Sequence, residues 1–314
     1  MRLPYSKTMT LKQLLYLREI ARRGLSISAA ASALHTSQPG VSRLIQDLEH
    51  ELGVDLLVRR KNRVLALTPA GRAVLASAER MLDEADNIRA LAQEVRDERG
   101  GHLALVTSHL HARYTLLGPI STFSARYPEV KLRLLQADPE EVPRLVAAGD
   151  ADIGVSTDVV SPHPGLALLP ARVIKRSLIM PARHALANKK RVTLAQLAKF
   201  PLIGYGPRSR GGQVIAQAFE AAGVEARFVV SASDSDVIKA YVAEGLGIAI
   251  VPTIALEQAD ARIAALDVTA LFPRSEMIVS LRRGIVLRRY LTDFLQMIVP
   301  RLTRHALEEA MALA

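Results

Sequence analysis

Cysteine is absent from this chain of 314 residues, and aromatic residues make up only 4% of it. Without cysteine the protein has no disulfide, no thiol nucleophile and no zinc site built on cysteine ligands, which is compatible with a reducing cytosol. Long apolar runs are also lacking, since the longest, GLGIAIVPTIAL from Gly245, is too short to cross a bilayer and contains a proline. The basic amino terminus has no uninterrupted apolar core of the kind a signal peptide needs. These absences predict a cytoplasmic protein without membrane contact.

The composition that is present is typical of a soluble globular protein, with 49% hydrophobic and 23% charged residues. The length predicts two domains or slightly more. A net charge of +10 and an isoelectric point of about 10.1 are compatible with an acidic partner. The densest basic cluster is VRRKNR, from Val58 to Arg63. An acidic partner is therefore expected to bind this part of the chain.

The stretch ALHTSQPGVSRLIQDLE predicts a helix with a defined start. Its apolar residues recur at helical spacing, and Ser37 is a good N-cap that places Pro39 in the first turn, where a missing N–H costs no intrahelical bond. Gly40 removes a side chain where another surface needs room to approach. The preceding SISAAASALH predicts a short helix that begins near Ser26 or Ser28, joined by the tight turn HTS. These are the parts of a helix-turn-helix, in which Gln can pair with adenine and Arg with guanine.

Taken alone, this pattern fits a generic pair of packed helices with solvated polar ends equally well. The residues that follow favour DNA binding, because the cluster Arg59, Arg60, Lys61 and Arg63 precedes the alternating VLALT. That arrangement predicts a two-stranded wing whose basic tip lies against phosphates.

The stretches AASALHTSQPGVSRLIQDLEHELGVDLLVRR and LTPAGRAVL resemble the winged helix-turn-helix of LysR-type transcriptional regulators, over a match from about Met9 to Leu75. The resemblance implies double-stranded DNA as a partner. It also implies a fold: an N-terminal all-α winged helix-turn-helix with a long linker helix, then a C-terminal α/β domain of two lobes like a periplasmic binding protein. Family members usually start just before the first helix, so residues 1–8 look like an extension and Met9 is an alternative translation start. The residues predicted to contact DNA are Ser37, Gln38, Pro39, Ser42, Arg43, Arg59, Arg60, Lys61 and Arg63.

No proline or glycine occurs between Gly71 and Gly100, which predicts one long helix. Its apolar residues alternate spacings of four and three, a heptad seam suited to a partner helix. The alternative is a long helix lying on its own protein, which small seam residues such as Ala78 and Ala92 also allow. In the family this helix pairs two subunits, so the resemblance implies a homodimer or homotetramer. The seam comprises Val74, Ala78, Met81, Ala85, Ile88, Ala92 and Val95.

From His102 onward, short apolar strands alternate with helices, which predicts an α/β domain with a largely parallel sheet. HLALVTS, KLRLLQ and ADIGVST are predicted strands of a first lobe, and SLIMP, PLIGY, ARFVVS and GIAIVP of a second. The tail MIVSLRRG predicts a return to the first lobe, and two lobes with a crossover make a cleft in which ligands favour strand ends. The predicted domains are the DNA-binding head, 1–68, the linker helix, 69–99, and the effector-binding domain, 100–314.

The sequence contains no convincing catalytic set or metal site, and no cofactor is predicted. Its eight histidines are scattered, and the pair His109 and His111 lacks nearby carboxylates. The loop YGPRSRGGQ precedes a helix and carries Arg208 and Arg210, as an anion-binding helix start does. It is not a P-loop, and an ordinary solvated glycine-rich turn explains it equally well.

Three stretches of this domain resemble the CysB-like branch of the LysR family: TSHLHARYTLLGPISTFSARYPEVKL, ADIGVSTD and SDSDVIKAYVAEGLGIAIV. That branch controls sulfur assimilation and holds sulfate or related small molecules between its lobes, and it typically has TTHTQARY in the first stretch. The resemblance implies an effector site that includes Ser108, His111 and Thr157. Leu110 and Arg210 stand where the branch has threonines. Two fewer hydroxyls and an added guanidinium predict a more extended or differently placed anion, such as a sulfonate, with Arg210 as a fourth effector residue.

The sequence therefore predicts a homo-oligomeric transcription regulator, not an enzyme, that binds DNA and responds to sulfate, a sulfonate or a related small anion. A solute-binding protein on the same two-lobed fold is one alternative, opposed by the missing signal peptide and by the winged head. An enzyme on that fold is another, opposed by the lack of a convergent acid, base or nucleophile.

Overall fold

The structure of the protein is a computed structural model that describes residues 9–60, 63–95, 100–158, 163, 165–206, 209–257 and 260–312. The chain divides into two compact units, residues 1–97 and 98–314. Among the helices within these ranges, none combines the length and the apolar character needed to cross a membrane. The predicted extension over residues 1–8 lies outside the described residues.

Four helices and one hairpin form the first unit, the head. The helices are α1 (Leu11–Arg22), α2 (Ile27–Ala33), α3 (Gln38–Leu52) and α4 (Pro69–Val95), and the hairpin consists of β1 (Leu57–Arg60) and β2 (Arg63–Leu67). The two strands are antiparallel, with Leu57 opposite Leu67. The head predicted as all-α is therefore helical except for its wing, which is the two-stranded element that the alternating VLALT predicted.

The first three helices each begin at a hydroxyl side chain that accepts a hydrogen bond from the first turn, namely that of Thr10, Ser26 and Ser37. Ser37 Oγ accepts from the backbone N of Gly40 at 3.3 Å, and Pro39 lies in the first turn as predicted. A Cβ on Gly40 would lie only 3.2 Å from Ser37 Oγ. The glycine thus leaves room for the helix cap itself, a local reason that differs from the approaching surface expected from the sequence.

The core of the head lies between its four helices. Val41, Ile45 and Leu48 of α3 are fully buried, which accounts for their helical spacing in the sequence. On α4, Ala78 is buried in the same core and Val74 packs against it. The first two positions of the predicted seam therefore face their own head, as the alternative interpretation of this helix allowed.

The second unit has two lobes, each built on a five-stranded sheet. Lobe I contains β3 (Gly101–Thr107), β4 (Val130–Gln136), β5 (Ile153–Thr157), β6 (Leu166–Val173) and β12 (Glu276–Arg282). Lobe II contains β7 (Arg176–Pro181), β8 (Leu202–Tyr205), β9 (Phe228–Ala232), β10 (Ile248–Pro252) and β11 (Ile263–Asp267). The strand orders are β4-β3-β5-β12-β6 and β11-β7-β10-β8-β9.

Helices pack on both sheets. Those of lobe I are α5 (His109–Tyr114), α6 (Leu117–Arg126), α7 (Val142–Ala147), α11 (Arg289–Ile298) and α12 (Arg304–Met311). Those of lobe II are α8 (Leu194–Leu197), α9 (Arg210–Ala221) and α10 (Ser235–Ala243), with short 3₁₀ turns at Thr253–Leu256 and Thr269–Leu271.

Both sheets are mixed, so the expectation of a largely parallel sheet needs correction. β3 pairs in parallel with β4 and β5, and β8 with β9 and β10, but the other pairings are antiparallel. The reason is topological. The chain leaves lobe I after β6, builds lobe II, and returns as β12, which inserts between β5 and β6 and runs antiparallel to both. The predicted return of MIVSLRRG to the first lobe is confirmed.

The core of lobe I fixes the ends of two neighbouring strands. Leu105 of β3 and Ile153 and Val155 of β5 are fully buried. Beside them, the hydroxyl of Thr107 donates to the carbonyl oxygen of Val155 at 2.7 Å. The carboxyl ends of β3 and β5 are thereby held together, and the residues that follow them are brought close to one another.

Candidate nucleic-acid interface and ligand cleft

Most of the side chains predicted to contact DNA lie at the start of α3 and on the wing. Ser37, Gln38, Pro39 and Arg43 are exposed around the first turns of α3, and Ser42 is half-buried. This end of a 15-residue helix presents polar side chains at the surface, as a helix that enters the major groove must.

Gln38 contacts the preceding helix. Its Nε2 donates a hydrogen bond to Ser28 Oγ on α2, which joins the two helices of the motif beside their turn. Both residues are exposed, so the amide of Gln38 can exchange the serine for a base edge. The sequence pattern singled out Gln38 but not its partner, because Ser28 lies ten residues away on another helix.

Arg59 has a partner inside the head. Its Nη1 lies 2.7 Å from Oε2 of Glu49, a buried carboxylate near the end of α3. Oε1 of Glu49 accepts hydrogen bonds from the backbone N of Leu56 at 2.8 Å and of Leu57 at 3.1 Å. Glu49 therefore ties α3 to the wing, and Arg59 balances its charge. Arg59 thus has a structural bond that the run of basic residues did not predict.

Among the described side chains of the wing, Arg60 differs from Arg59 in its surroundings. Arg60 is exposed at the end of β1, directly opposite Arg63 at the start of β2. Lys61 and the side chain of Arg63 lie outside the described residues. Among the described side chains, Arg60 is therefore the candidate of the wing for a phosphate contact.

Exposed apolar side chains appear on α4 beyond the head core. Met81 is 45% exposed and Ile88 is 61% exposed. A groove of about 310 Å³ beside Met81 is lined mainly by apolar side chains of α1, α3 and α4. Of the other seam positions, Ala85 is half-buried, Ala92 is exposed, and the side chain of Val95 is outside the described part of the chain.

In lobe I, three of the predicted effector residues lie at the carboxyl ends of β3 and β5. Thr157 ends β5, Ser108 follows β3, and His111 lies on α5. His111 Nε2 is 2.9 Å from Thr157 Oγ1, and its Nδ1 is 3.0 Å from Thr115 Oγ1. Ser108 and Thr157 are half-buried. Among the described residues of α5, none donates a capping hydrogen bond to the side chain of Ser108.

His111 itself is fully buried. Burial, followed by the positive charge of Arg172, lowers the pKa of its imidazole to about 4. The ring is therefore neutral near pH 7 and uses one donor and one acceptor nitrogen towards its two threonines. His111 was predicted as an effector residue; its ring is fully buried, and both of its nitrogens are bonded to threonine hydroxyls.

Arg210 lines a cleft of about 490 Å³ between α9 and lobe I. It is the first residue of α9, which Ser209 caps by accepting a hydrogen bond from the backbone N of Gly212 at 3.0 Å. The Nε atom of Arg210 is buried and has no hydrogen-bond partner among the described residues. Asp158 lines the same cleft and directly follows Thr157. Arg210 therefore lies beside the end of β5, although Ser108, His111 and Thr157 do not line this cleft.

Positive charge predominates near the start of α9. Arg176 is buried at the start of β7; its burial lowers the pKa of its guanidinium, and the charge of Arg210 acts in the same direction. Arg274, which also lines the cleft, is paired with Glu276 at 2.6 Å. Among the described residues, the guanidiniums of Arg176, Arg210 and Arg274 outnumber the carboxylates of Asp158 and Glu276 here, which favours an anion at this helix start. Arg208, also predicted to contribute, is outside the described residues.

Comparison with known proteins agrees with both units. The family model "Bacterial regulatory helix-turn-helix protein, lysR family" matches residues 11–72. The model "LysR substrate binding domain" matches residues 96–303. The two models together cover most of the chain, and both describe the LysR family.

Transcriptional regulators are similar to this chain over most of their own length. The transcriptional regulator SsuR of Burkholderia cenocepacia is 38% identical over 94% of this chain and 96% of its own. CysB of the same organism is 37% identical over 96% and 97%. The crystal structure of the cofactor-binding domain of the Cbl transcriptional regulator covers 69% of this chain and 96% of its own, with a TM-score of 0.64 and 36% identity. These matches favour a regulator over a solute-binding protein or an enzyme. The chain belongs to the LysR family of bacterial helix-turn-helix transcriptional regulators, in its CysB-like branch.

Proposed function

We propose that this regulator controls genes of sulfur assimilation and responds to a sulfonate-like anion. Members of the LysR family bind DNA and small-molecule effectors and form oligomers. The link to sulfur comes from the CysB-like branch, to which the relatives SsuR, CysB and Cbl belong. The preference for an anion comes from the cleft beside Arg210.

The observation that carries the anion is the buried, unpartnered Nε of Arg210 at the start of α9. A guanidinium with an unused donor in a partly enclosed cleft binds an oxyanion by a charge-assisted hydrogen bond, worth about 1.5–3 kcal/mol. The helix N-terminus adds positive potential at the same place.

The size and lining of the cleft favour an organic anion over inorganic sulfate. Its volume of about 490 Å³ exceeds the need of one tetrahedral oxyanion. Leu168 and Ile278 of lobe I and Val214 of α9 add apolar surface. A sulfonate places its charged group against Arg210 and its carbon chain against these residues.

Titration calorimetry of the full chain tests the anion. Inorganic sulfate and butanesulfonate are compared, with butanesulfonate expected to bind more tightly because it buries its carbon chain. Arg210→Ala is expected to weaken binding about 10- to 150-fold, the equivalent of one charge-assisted bond. Arg262→Ala is the matched control, since Arg262 is an exposed arginine of lobe II that pairs with Asp260 and Glu244 and does not line the cleft. Equal affinities in wild type and Arg210→Ala contradict the anion site, and sulfate binding at least as tightly contradicts the sulfonate.

We further propose that α4 joins two copies of the chain through its exposed apolar residues. Met81 and Ile88 lie beyond the head core with 45% and 61% of their surface exposed. Apolar residues at a spacing of seven on a 27-residue helix are typical of a helix pair. The proposed seam therefore begins at Met81, because Val74 and Ala78 pack into the head.

The substitution Ile88→Asp tests this assembly. It places a charge in the proposed seam and is expected to convert the oligomer to smaller species in sedimentation experiments. Operator affinity should fall about 100-fold or more, because two heads no longer bind as one unit. Arg89→Asp, one residue away and outside the seam, is the control. An unchanged size and operator affinity for Ile88→Asp would remove α4 from the interface.

A further inference from the structure

A cluster of polar side chains joins α5 of lobe I to α10 of lobe II, with the carboxylate of Asp236 at its centre. Its Oδ2 lies 3.0 Å from His109 Nε2 and 3.1 Å from Arg113 Nε. Its Oδ1 accepts a hydrogen bond from Tyr114 OH and lies 3.0 Å from Lys239 Nζ. Three side chains of α5 therefore converge on one carboxylate of the other lobe.

Lys239 of α10 completes this cluster. Its Nζ donates to Tyr114 OH at 2.6 Å and to the carbonyl oxygen of Ala255 at 2.8 Å, and it lies 5.0 Å from the centre of the tyrosine ring. The side chains of Lys239 and Asp236 are only 15% and 30% exposed. Because they are partly shielded from water, these bonds are screened less than those of an ordinary surface ion pair.

The cluster is an ion-pair network, although three residues in and beside it have the spacing of metal ligands. Ligand atoms of His109, Asp234 and Asp236 lie within 4.8 Å of one another. Asp234, however, accepts hydrogen bonds from the backbone N of Asp236 and Val237 as the cap of α10. Burial acts to raise the pKa of Asp236, but hydrogen bonds from Tyr114, His109 and Lys239 outweigh it and hold that pKa well below its ordinary value. The charge of this carboxylate is thus balanced by Arg113 and Lys239, and the hydroxyl of Tyr114 donates a hydrogen bond to it.

The helix α5 connects this network to the predicted effector residues. It has only six residues, so its position depends on tertiary contacts more than on its own helical bonds. Its residues bond in two directions: His109, Arg113 and Tyr114 reach Asp236 of lobe II, whereas His111 reaches Thr157 of lobe I. The helix α5 therefore connects Asp236 of lobe II to Thr157 of lobe I through its own side chains.

We propose that Asp236 is a positioning residue, whose bonds clamp α10 to α5 and hold Ser108 and His111 in place against Thr157. Thr157 directly precedes Asp158, which lines the Arg210 cleft, so the clamp is coupled to anion binding through the end of β5. The coupling is reciprocal: loss of the clamp weakens binding, and binding stabilises the clamp. The coupling rests on the proposed effector site, whereas the clamp itself is independent of the ligand.

Hydrogen exchange of the ligand-free full chain tests the clamp. The probes are the backbone amides of Ala112, Thr115 and Leu116, which donate to the carbonyl oxygens of Ser108 and His111. Asp236→Asn keeps the shape of the side chain and removes its charge, and is expected to make these amides exchange about tenfold faster, because local opening of α5 becomes easier.

A matched control removes the same kind of charge without touching α5. Asp260→Asn deletes a carboxylate that pairs with Arg262 at 2.8 Å within lobe II, and should leave exchange of α5 unchanged. Tyr114→Phe removes the hydroxyl shared by Asp236 and Lys239 but keeps the ring, and should accelerate exchange in the same direction by a smaller factor. It decides the question alone if Asp236→Asn fails to fold. Exchange of α5 at the wild-type rate in the folded variants overturns the clamp.

Anion titration then tests positioning, with inorganic sulfate and butanesulfonate as probes. Asp236→Asn is expected to bind about tenfold more weakly than both wild type and Asp260→Asn. Faster exchange of α5 with unchanged affinity overturns the positioning role and leaves the clamp. If neither anion binds the wild type, the positioning role falls together with the proposed effector class, and the exchange rates still decide whether the clamp exists.

Discussion

The head and the two-lobed unit hold their candidate functional side chains in opposite ways. In the head, Gln38 and Arg43 are exposed, and the fully buried residues of α3 lie beneath them. In the two-lobed unit, His111 is itself fully buried and shares its hydrogen bonds with Thr115 and Thr157. Recognition side chains of the head can therefore change with little effect on the fold, whereas a change at the strand ends of lobe I affects binding and stability together.

The largest expected effect concerns His111, whose protonation should lower the free energy of unfolding. Its pKa is about 4 in the folded protein and 6.5 in the absence of the fold. The unfolded chain therefore binds the extra proton between these values. The stability that His111 contributes is complete above pH 6.5 and falls by roughly 3 kcal/mol as the pH decreases to 4.

Denaturant unfolding of the full chain between pH 7.5 and pH 4 measures this contribution. His111→Gln keeps one donor and one acceptor for the two threonines but does not titrate, so its stability should fall less over this range. The difference between the two proteins isolates the histidine from the carboxylates that titrate nearby in pH. Parallel pH profiles for the two proteins would show that His111 is not held in its neutral form.

Gln38 is expected to give an intermediate effect, on DNA recognition without an effect on stability. Gln38→Ala should lose about 1–3 kcal/mol of discrimination between the operator and a random duplex. Its melting temperature should stay close to that of the wild type, because the side chain and its hydrogen bond to Ser28 are both exposed to solvent. Competition gel shifts measure the discrimination. Equal weakening on specific and random DNA would mean that Gln38 does not contact base edges.

The smallest effect is expected from Arg60, and Arg59 is its matched comparison. Arg60→Ala should reduce the slope of log affinity against log salt by about 0.9, the loss of one phosphate contact. Arg59→Ala should also lower the melting temperature of the protein, because it leaves the buried carboxylate of Glu49 without its cation. Salt titrations and thermal melts of both variants provide the test. Identical stability of the two variants would place Arg59 with the exposed residues of the wing.

Sequence reasoning predicted the elements whose signals are local. The start of α3 could be predicted because Ser37, Pro39 and the apolar spacing lie within one short stretch. The strand β6 was not among the predicted strands, and it contains Pro170, a residue type that is disfavoured inside a sheet. In the structure, Pro170 lies at a register shift of an edge strand, where the ladder tolerates it.

The contacts that define the candidate sites were harder to predict because they join distant parts of the chain. His109 and Asp236 are separated by 127 positions. The sequence could therefore identify His109 and His111 as a pair without nearby carboxylates, but could not place His109 in a network between lobes. Arg210 was expected beside Ser108 and Thr157, and its actual neighbour Asp158 was not singled out. Such pairings depend on topology, which periodicity and spacing do not encode.

The late return of β12 to lobe I also determines the order in which the two sheets can form during synthesis on the ribosome. Lobe II has all five of its strands once the chain has been synthesised to Asp267, whereas lobe I still lacks the strand that lies between β5 and β6. The lobe that comes second in the sequence is therefore the first that can complete its sheet. Until Arg282 has emerged, β5 and β6 each present an open edge to the crowded cell, a period of exposure to aggregation.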